Sequence, residues 1–525
     1  MLFVGGTVLA GPGQTPQKNV AIYVENGVIR EIGPALEMQS KYMGRANVVG
    51  YPNATILPGL TDAHGHLYGL GLSIDRLDLV DTTSYEQVIA LTKERAAGTA
   101  ANEWILGRGW DQNDWPVKEF PTAAALDAAI SDHPVWLRRI DGHAGLANSA
   151  AMRAANVTAA TQDPHGGKII RDANGNPTGV FVDNAMNLIE AVVPPPTFAK
   201  RKSLILASAK RIASFGLTEI HDAGADEDTI RAVRELIDEK QFPIRVYTML
   251  ADNAPVLEKW FRSGPLVEYG GRLNVRAVKL YADGALGSRG AALLEPYSDD
   301  PGNTGLMIAT PEHLQDVATR AIKAGFQVNT HAIGDRGVRN TIDAYHAAGA
   351  QPEHRFRVEH LQVIAPSDVP RLVERGIIAS MQPTHATSDM YWAEKRLGPE
   401  RIRGAYAWRT VLTAGGRLAL GSDFPVERVN PFFGIHAAVT RQDQKNWPEG
   451  GWYPDQRLTL AEAIRGFTLD AAYAAFQEDS RGTIEPGKLA DFTIVDGDFT
   501  ATPATDLWKA KVAATVVGGE VVYRP

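Results

Sequence analysis

The chain has 525 residues, 44% hydrophobic and 22% charged, an ordinary globular composition on a chain too long for one ordinary core. Its net charge of −8 is spread without long runs and argues against nucleic acid or an anionic membrane as partner, leaving a small-molecule substrate. Cysteine is absent, which excludes disulfides, thiolate metal sites and a cysteine nucleophile. Any metal must then be held by histidine and carboxylate, which favours zinc, manganese or iron-type ions.

The opening "MLFVGGTVLAGPGQ" has no basic residue before Lys18 and reads as a strand rather than a secretory signal. No apolar stretch is long enough to span a bilayer, so no transmembrane segment is expected. The expectation is a cytoplasmic protein, with an exported one whose signal was removed as the alternative. "NVAIYVENGVIREIG" reads as two strands around Asn26-Gly27, a hairpin signal. The far end behaves alike: "ADFTIVDG", then "AATVVGGEVVYRP" hinged at Gly518-Gly519. Neither end can bury a good core alone, so residues 1–58 and 478–525 are expected to form one small composite β-sandwich domain.

Next comes "LPGLTDAHGHLYGLG". On a strand, Leu60, Asp62, His64 and His66 share a face, so the two imidazoles project side by side where the strand meets a Gly-rich loop. That placement suits chelation of a divalent ion. Residues 68–200 break the rhythm of the rest, with turn signals ("DANGNPTG") and apolar runs of their own, and read as a subdomain inserted after the first barrel strand. From about 200 onward, short apolar strands (217–223, 244–250, 275–281, 326–332, 355–361, 376–382 and 417–423) alternate with amphipathic helical stretches. With the strand ending at His66 they make eight βα units, and the fold class expected for residues 59–477 is a (β/α)8 TIM barrel.

Candidate chemistry falls at the C-terminal strand ends, where barrel enzymes carry their catalysts. These positions are His64 and His66, Lys279 in "VRAVKLYADG", His331 in "NTHAIGD", His360 in "RVEHLQ" and Asp423 in "LGSDFPV". Alone, each has a structural explanation; together at the mouths of five strands they point to a metal site. Lys279 is the only charged residue between Arg276 and Asp283. Desolvation there lowers its pKa, and a neutral amine can take up carbon dioxide and become an anionic carbamate. Asp423 is the natural general base. Substrate contacts are expected from His143 in the insertion, His385 and Asp389 in "QPTHATSD", and Trp110 in "WILGRGWDQNDWP". Asp62 reads equally as a partner orienting an imidazole or as a backbone cap. His221 reads as structural, and Asp283 and Arg289 as residues ordering a loop.

The phrases "LPGLTDAHGHL", "VKLYADGALGSRGAAL", "NTHAIGDRGV", "RVEHLQ", "QPTHATSDMYWAEKRLGPERI", "LALGSDFPVERVNP" and "GTIEPGKLADFTIVDGD" resemble the amidohydrolase superfamily, in its metal-dependent amidohydrolase 3, or YtcJ-like, branch. The resemblance covers nearly the whole length. It implies two divalent metals, zinc foremost. His64, His66 and Asp423 would hold the first, His331 and His360 the second, with a hydroxide and carboxylated Lys279 bridging them. The implied activity is hydrolysis of a carbon–nitrogen bond in an amide, an N-acyl or an N-formyl amine. The same site would also serve lactones, esters or phosphotriesters. A mononuclear deaminase of this kind carries Glu three residues after the fifth-strand histidine, where this chain has Gly334. A non-enzymatic barrel scaffold should lack ligands, and none is missing. Whether the chain forms a homo-oligomer is left open.

Overall fold

Eight strands carry the barrel: Leu60–Gly65, Leu217–Ala225, Arg245–Ala251, Leu273–Tyr281, Gln327–Ala332, Arg357–His360, Ile378–Met381 and Leu418–Leu420. They are called the first to eighth barrel strands below. Each pairs in parallel with the next. Most are buried on both faces, as a parallel sheet enclosed by helices requires. The computed structural model describes residues 1–139, 144–164 and 167–525, with no helix among them long and apolar enough to cross a membrane. The barrel is nearly closed: the sheet order ends at the first and eighth strands without a ladder between them. Two backbone hydrogen bonds bridge that seam, Asp423 N to His64 O at 2.7 Å and His66 N to Phe424 O at 2.9 Å.

The outer helices follow the sequence signals. Pro311–Ala324 starts after Thr310, whose side chain accepts from His313 N, and stops at Gly325 in the left-handed region. Asp226 caps Glu227–Asp238 in the same way, through Thr229 N. One element was not anticipated. Leu266–Tyr269 folds back antiparallel on the fourth barrel strand, using the tight Gly270-Gly271 turn.

The two chain ends meet in one sheet. Its seven strands run Glu520–Tyr523, Val512–Val517, Phe492–Asp496, Val48–Pro58, Leu2–Val8, Gln17–Glu25, Val28–Pro34. The join between the ends is antiparallel, with Ile56 opposite Ile494. Asn26 and Gly27 both take positive φ, 53° and 77°, as the two-residue hairpin turn requires. The strands of the two ends follow one continuous hydrogen-bonded order, because the long strand Val48–Pro58 pairs with both ends of the chain. Phe3, Ile22, Ile56, Phe492 and Val516 share its apolar core.

This sheet is fixed to the base of the barrel by polar contacts. Asp491 accepts two hydrogen bonds from Arg245, at 2.7 and 2.9 Å, and a third from Gly518 N. Thr493 Oγ1 accepts from Leu60 N and donates to Gly216 O.

Residues 71–200 form a compact unit of their own. It holds a six-stranded sheet with an apolar cluster that includes Trp110, Trp115 and Leu137, and a second built on Trp136 and Phe181. The "DANGNPTG" signal is its hairpin: Asp172 Oδ1 accepts from Asn174 N and Asn176 N between Gly167–Arg171 and Pro177–Asp183.

A buried ion pair that loses one partner leaves an uncompensated charge, at a cost of about 3–5 kcal/mol. Asp491→Ala strands Arg245 beneath the barrel. The expected outcome is a loss of that order, read as a lower midpoint in urea unfolding than for Asp491→Asn, which keeps two acceptor lone pairs.

Candidate metal centre and active site

The strand alternation read in "LTDAHGH" is realised at the barrel mouth. His64 is fully buried and His66 partly exposed. Three histidines are oriented through their Nδ1 atoms. His64 Nδ1 lies 2.5 Å from Glu359 Oε2, His66 Nδ1 lies 2.9 Å from Ala223 O, and His360 Nδ1 lies 2.8 Å from Gln382 Oε1. A carbonyl or carboxylate oxygen only accepts, so each Nδ1 carries the proton and each Nε2 presents a lone pair inward. Burial, reinforced by Lys279, holds His64 well below the usual imidazole range, and burial with His331 does the same for His360. His331 is lowered to about 4, again chiefly by burial. Neutral imidazoles are the form that binds metal.

The donor atoms converge. His66 Nε2 lies 3.0 Å and His64 Nε2 3.6 Å from Asp423 Oδ1, and Lys279 Nζ lies 3.1 Å from His64 Nε2. The rings of His331 and His360 are 4.6 Å apart. His331 Nε2 is buried with no hydrogen-bond partner. An imidazole lone pair and a carboxylate oxygen at 3.0 Å are both acceptors, so a proton or a cation must lie between them. The donor set of His64, His66 and Asp423, with ligand atoms all within 4.8 Å of one another, therefore fits a divalent ion. His360, His385 and Asp423 meet the same limit.

Asp423 sits just past the eighth strand at φ 62°, which turns its side chain into the mouth. Burial works to raise its carboxyl, but the His66 hydrogen bond and the neighbouring imidazoles outweigh it and hold it below the usual carboxylate range. Lys279 is 1% exposed, and burial lowers its amine, against the opposing pull of Glu359 and Asp423.

The centre opens into a cavity of about 370 Å³. Its wall includes Tyr281, Leu286, Ile333, His385, Asp389 and Trp392. Gln362 Nε2 donates to His385 Nδ1 at 3.1 Å, which leaves the His385 proton on Nε2, 3.6 Å from Asp423 Oδ2. This tautomer suits His385 to donating a hydrogen bond into the cavity rather than to ligation. Asp389 accepts from Tyr406 OH at 2.5 Å, and burial pushes its carboxyl up to about 6.

Not every expected site residue gathers here. His143 lies outside the described residues. Trp110 is wholly buried in the core of residues 71–200, with its Nε1 donating to Leu137 O. Its indole is committed to packing, and the expectation that it contacts substrate is withdrawn. Asp62 proves to be a backbone anchor: it accepts from His64 N (3.1 Å), Ser422 N (3.0 Å) and Ser422 Oγ (2.6 Å). Burial raises its carboxyl to about 7, with these donors opposing. His221 is buried below the centre with Nδ1 2.9 Å from an Arg357 guanidinium nitrogen. Asp283 accepts from Ala292 N, Ile333 N and Gly334 N and ties two loops together.

Sequence reading missed Glu359, Gln382 and Gln362. The alternation in "RVEHLQ" could have signalled the first, since it puts Arg357 and Glu359 on one face of a strand buried throughout. Opposite charges at i and i+2 inside a barrel need partners of their own.

A nearly closed parallel barrel whose C-terminal mouth gathers histidines and an aspartate able to hold a divalent ion is an arrangement suited to a metal-dependent hydrolase. The sequence model of the amidohydrolase family matches residues 52–523, and the chain belongs to that family. The putative amidohydrolase YtcJ of Bacillus subtilis is 34% identical over 96% of both chains. The N-substituted formamide deformylase of Arthrobacter pascens is 25% identical over 96% of this chain and 94% of its own. An uncharacterized metal-dependent hydrolase from Pyrococcus horikoshii shares the fold at a TM-score of 0.80 and 26% identity, covering 96% of this chain and 98% of that one.

Partners that orient metal-binding histidines typically contribute 10- to 100-fold to metal affinity. Glu359→Gln keeps the shape of the His64 contact and removes its charge. It is expected to weaken zinc binding at least about tenfold in a competition with a chromogenic chelator.

Proposed function

We propose that the protein hydrolyses a carbon–nitrogen bond in an amide, an N-acyl or an N-formyl amine at a binuclear centre. In this reading His64, His66 and Asp423 hold one zinc ion, His331 and His360 hold the other, and carboxylated Lys279 bridges them. The observation that carries it is the convergence of inward-facing imidazole nitrogens on Asp423 with Lys279 among them, in a cavity sized for a small molecule. The 25% identity to a deformylase of N-substituted formamides, over nearly the full length of both chains, favours an amide over an ester.

The chemistry of Lys279 follows from its surroundings. An ammonium at that position would face two dications from within an apolar strand. Burial favours the neutral amine. Its lone pair adds to carbon dioxide with loss of one proton, and the resulting carbamate supplies the anionic oxygens that a bridge needs.

A divalent ion, when bound, lowers the pKa of water and polarises a substrate carbonyl. Asp423, held ionised, accepts the proton that the attacking water gives up. His385 donates from Nε2 to the acyl oxygen and holds it as negative charge develops. Asp423 then returns the proton to the departing nitrogen as the carbon–nitrogen bond breaks, giving a carboxylic acid and an amine.

Three measurements test this. Dialysis against a strong chelator should abolish hydrolysis of N-acyl and N-formyl amines, and zinc should restore it; full activity in metal-free protein refutes the reading. Asp423→Asn should lower kcat at least about 10²-fold, as expected for removal of a general base. Lys279→Ala should lose bound metal, and the intact mass of the zinc-loaded wild-type protein should show the added carbon dioxide. An unmodified lysine in a fully loaded enzyme would exclude the bridge.

A further inference from the structure

The cavity wall carries two carboxylates that the proposed chemistry does not use. Asp389 follows the seventh barrel strand, on the helix Pro383–Asp389, and Glu427 lies four residues after Asp423. Each is held by one neutral hydroxyl: Tyr406 OH donates to Asp389, and Ser388 Oγ donates to Glu427 at 2.6 Å. A hydroxyl orients a carboxylate without neutralising it. Burial raises Asp389, His385 and the Tyr406 hydroxyl oppose that rise, and the nearby Glu427 adds to it. A cation placed beside Asp389 would be drawn by both carboxylates. The same wall includes Leu286, Ile333 and Trp392, which supply apolar and aromatic surface, together with Val426. His385 supplies an independent sign that a ligand belongs here: it is 7% exposed, and its Nε2 is buried, unpartnered and part of the same wall.

We infer that the substrate is an N-acylated amine whose amine portion combines an apolar or aromatic body with a positively charged group, seated between Asp389 and Glu427. This rests on the amide-hydrolase reading above. The acyl oxygen meets His385 Nε2, the apolar body lies along Leu286, Ile333 and Trp392, and the cation sits at the acidic end. The same geometry disfavours N-acyl amino acids, because a free carboxylate would meet Asp389 and Glu427 at short range.

The test uses one scaffold in three charge states on the zinc-loaded enzyme. The compounds are N-benzylformamide and its para-aminomethyl and para-carboxylate derivatives. Expected is the highest kcat/KM for the aminomethyl compound and the lowest for the carboxylate, at least about tenfold apart. Binding of the three product amines, measured by calorimetry, should follow the same order. Glu427→Lys should reverse both orders while the zinc content is unchanged. Equal values across the series, or a preference for the carboxylate, overturn the inference and leave amide hydrolysis standing. If no formamide is cleaved, the amide reading fails, and the calorimetric order still decides whether this wall selects a cation.

Discussion

The carboxylate of Asp62 is the fastening on which the mouth of the barrel depends. The first and eighth strands share no ladder, yet the residues that face the proposed metals hang from both. Asp62 receives the His64 amide from one side and the Ser422 amide and hydroxyl from the other. Two backbone hydrogen bonds continue the seam to His66 and Asp423. A Cβ on Gly421 would stand 2.5 Å from Asp62 and 2.6 Å from the His64 amide, so the strands meet too closely for any larger residue there. Hydrogen bonds beneath His64, His66 and Asp423 thus hold the two strands that carry them in register.

A second layer fixes direction. Glu359, Ala223 O and Gln382 each take the Nδ1 proton of a histidine and leave Nε2 facing inward. Gln362 does the reverse for His385 by donating to Nδ1. Four of the five imidazoles at the centre are thereby divided into three that offer lone pairs and one that offers a proton. Side chains of the same type take different roles because of a single neighbouring atom.

The sequence made the barrel legible because its strands are short apolar runs between capped amphipathic helices, a pattern that burial on both faces enforces. The ends of those strands were legible for a related reason: His64, Lys279, His331, His360 and Asp423 are polar residues closing apolar segments. What stayed hidden depends on contacts distant in sequence. Glu359 meets His64 across 295 residues, and nothing local in "RVEHLQ" names that partner. Trp110 misled because an aromatic cluster reads alike in a core and in a pocket wall; only the fold of residues 71–200 separates the two. That the two termini share a sheet was legible, but its strand order was not, since strand patterning gives faces and not neighbours.

That sharing has a consequence for how the chain comes to be folded. Leu60 N reaches Thr493 Oγ1 across 433 residues, at the place where the two chain ends join. At synthesis rates of about 5–20 residues per second, the N-terminal strands wait roughly 20 to 90 s for the partner that completes their sheet. Throughout that interval Val48–Pro58 presents an open, largely apolar edge, the kind of surface that pairs with whatever strand arrives first. The barrel can assemble during the wait, and Gly59–Leu60, Gly216 and Arg245 then stand ready as a template on which the last strands settle. The topology keeps this sheet open until the strands from Phe492 onward have been made.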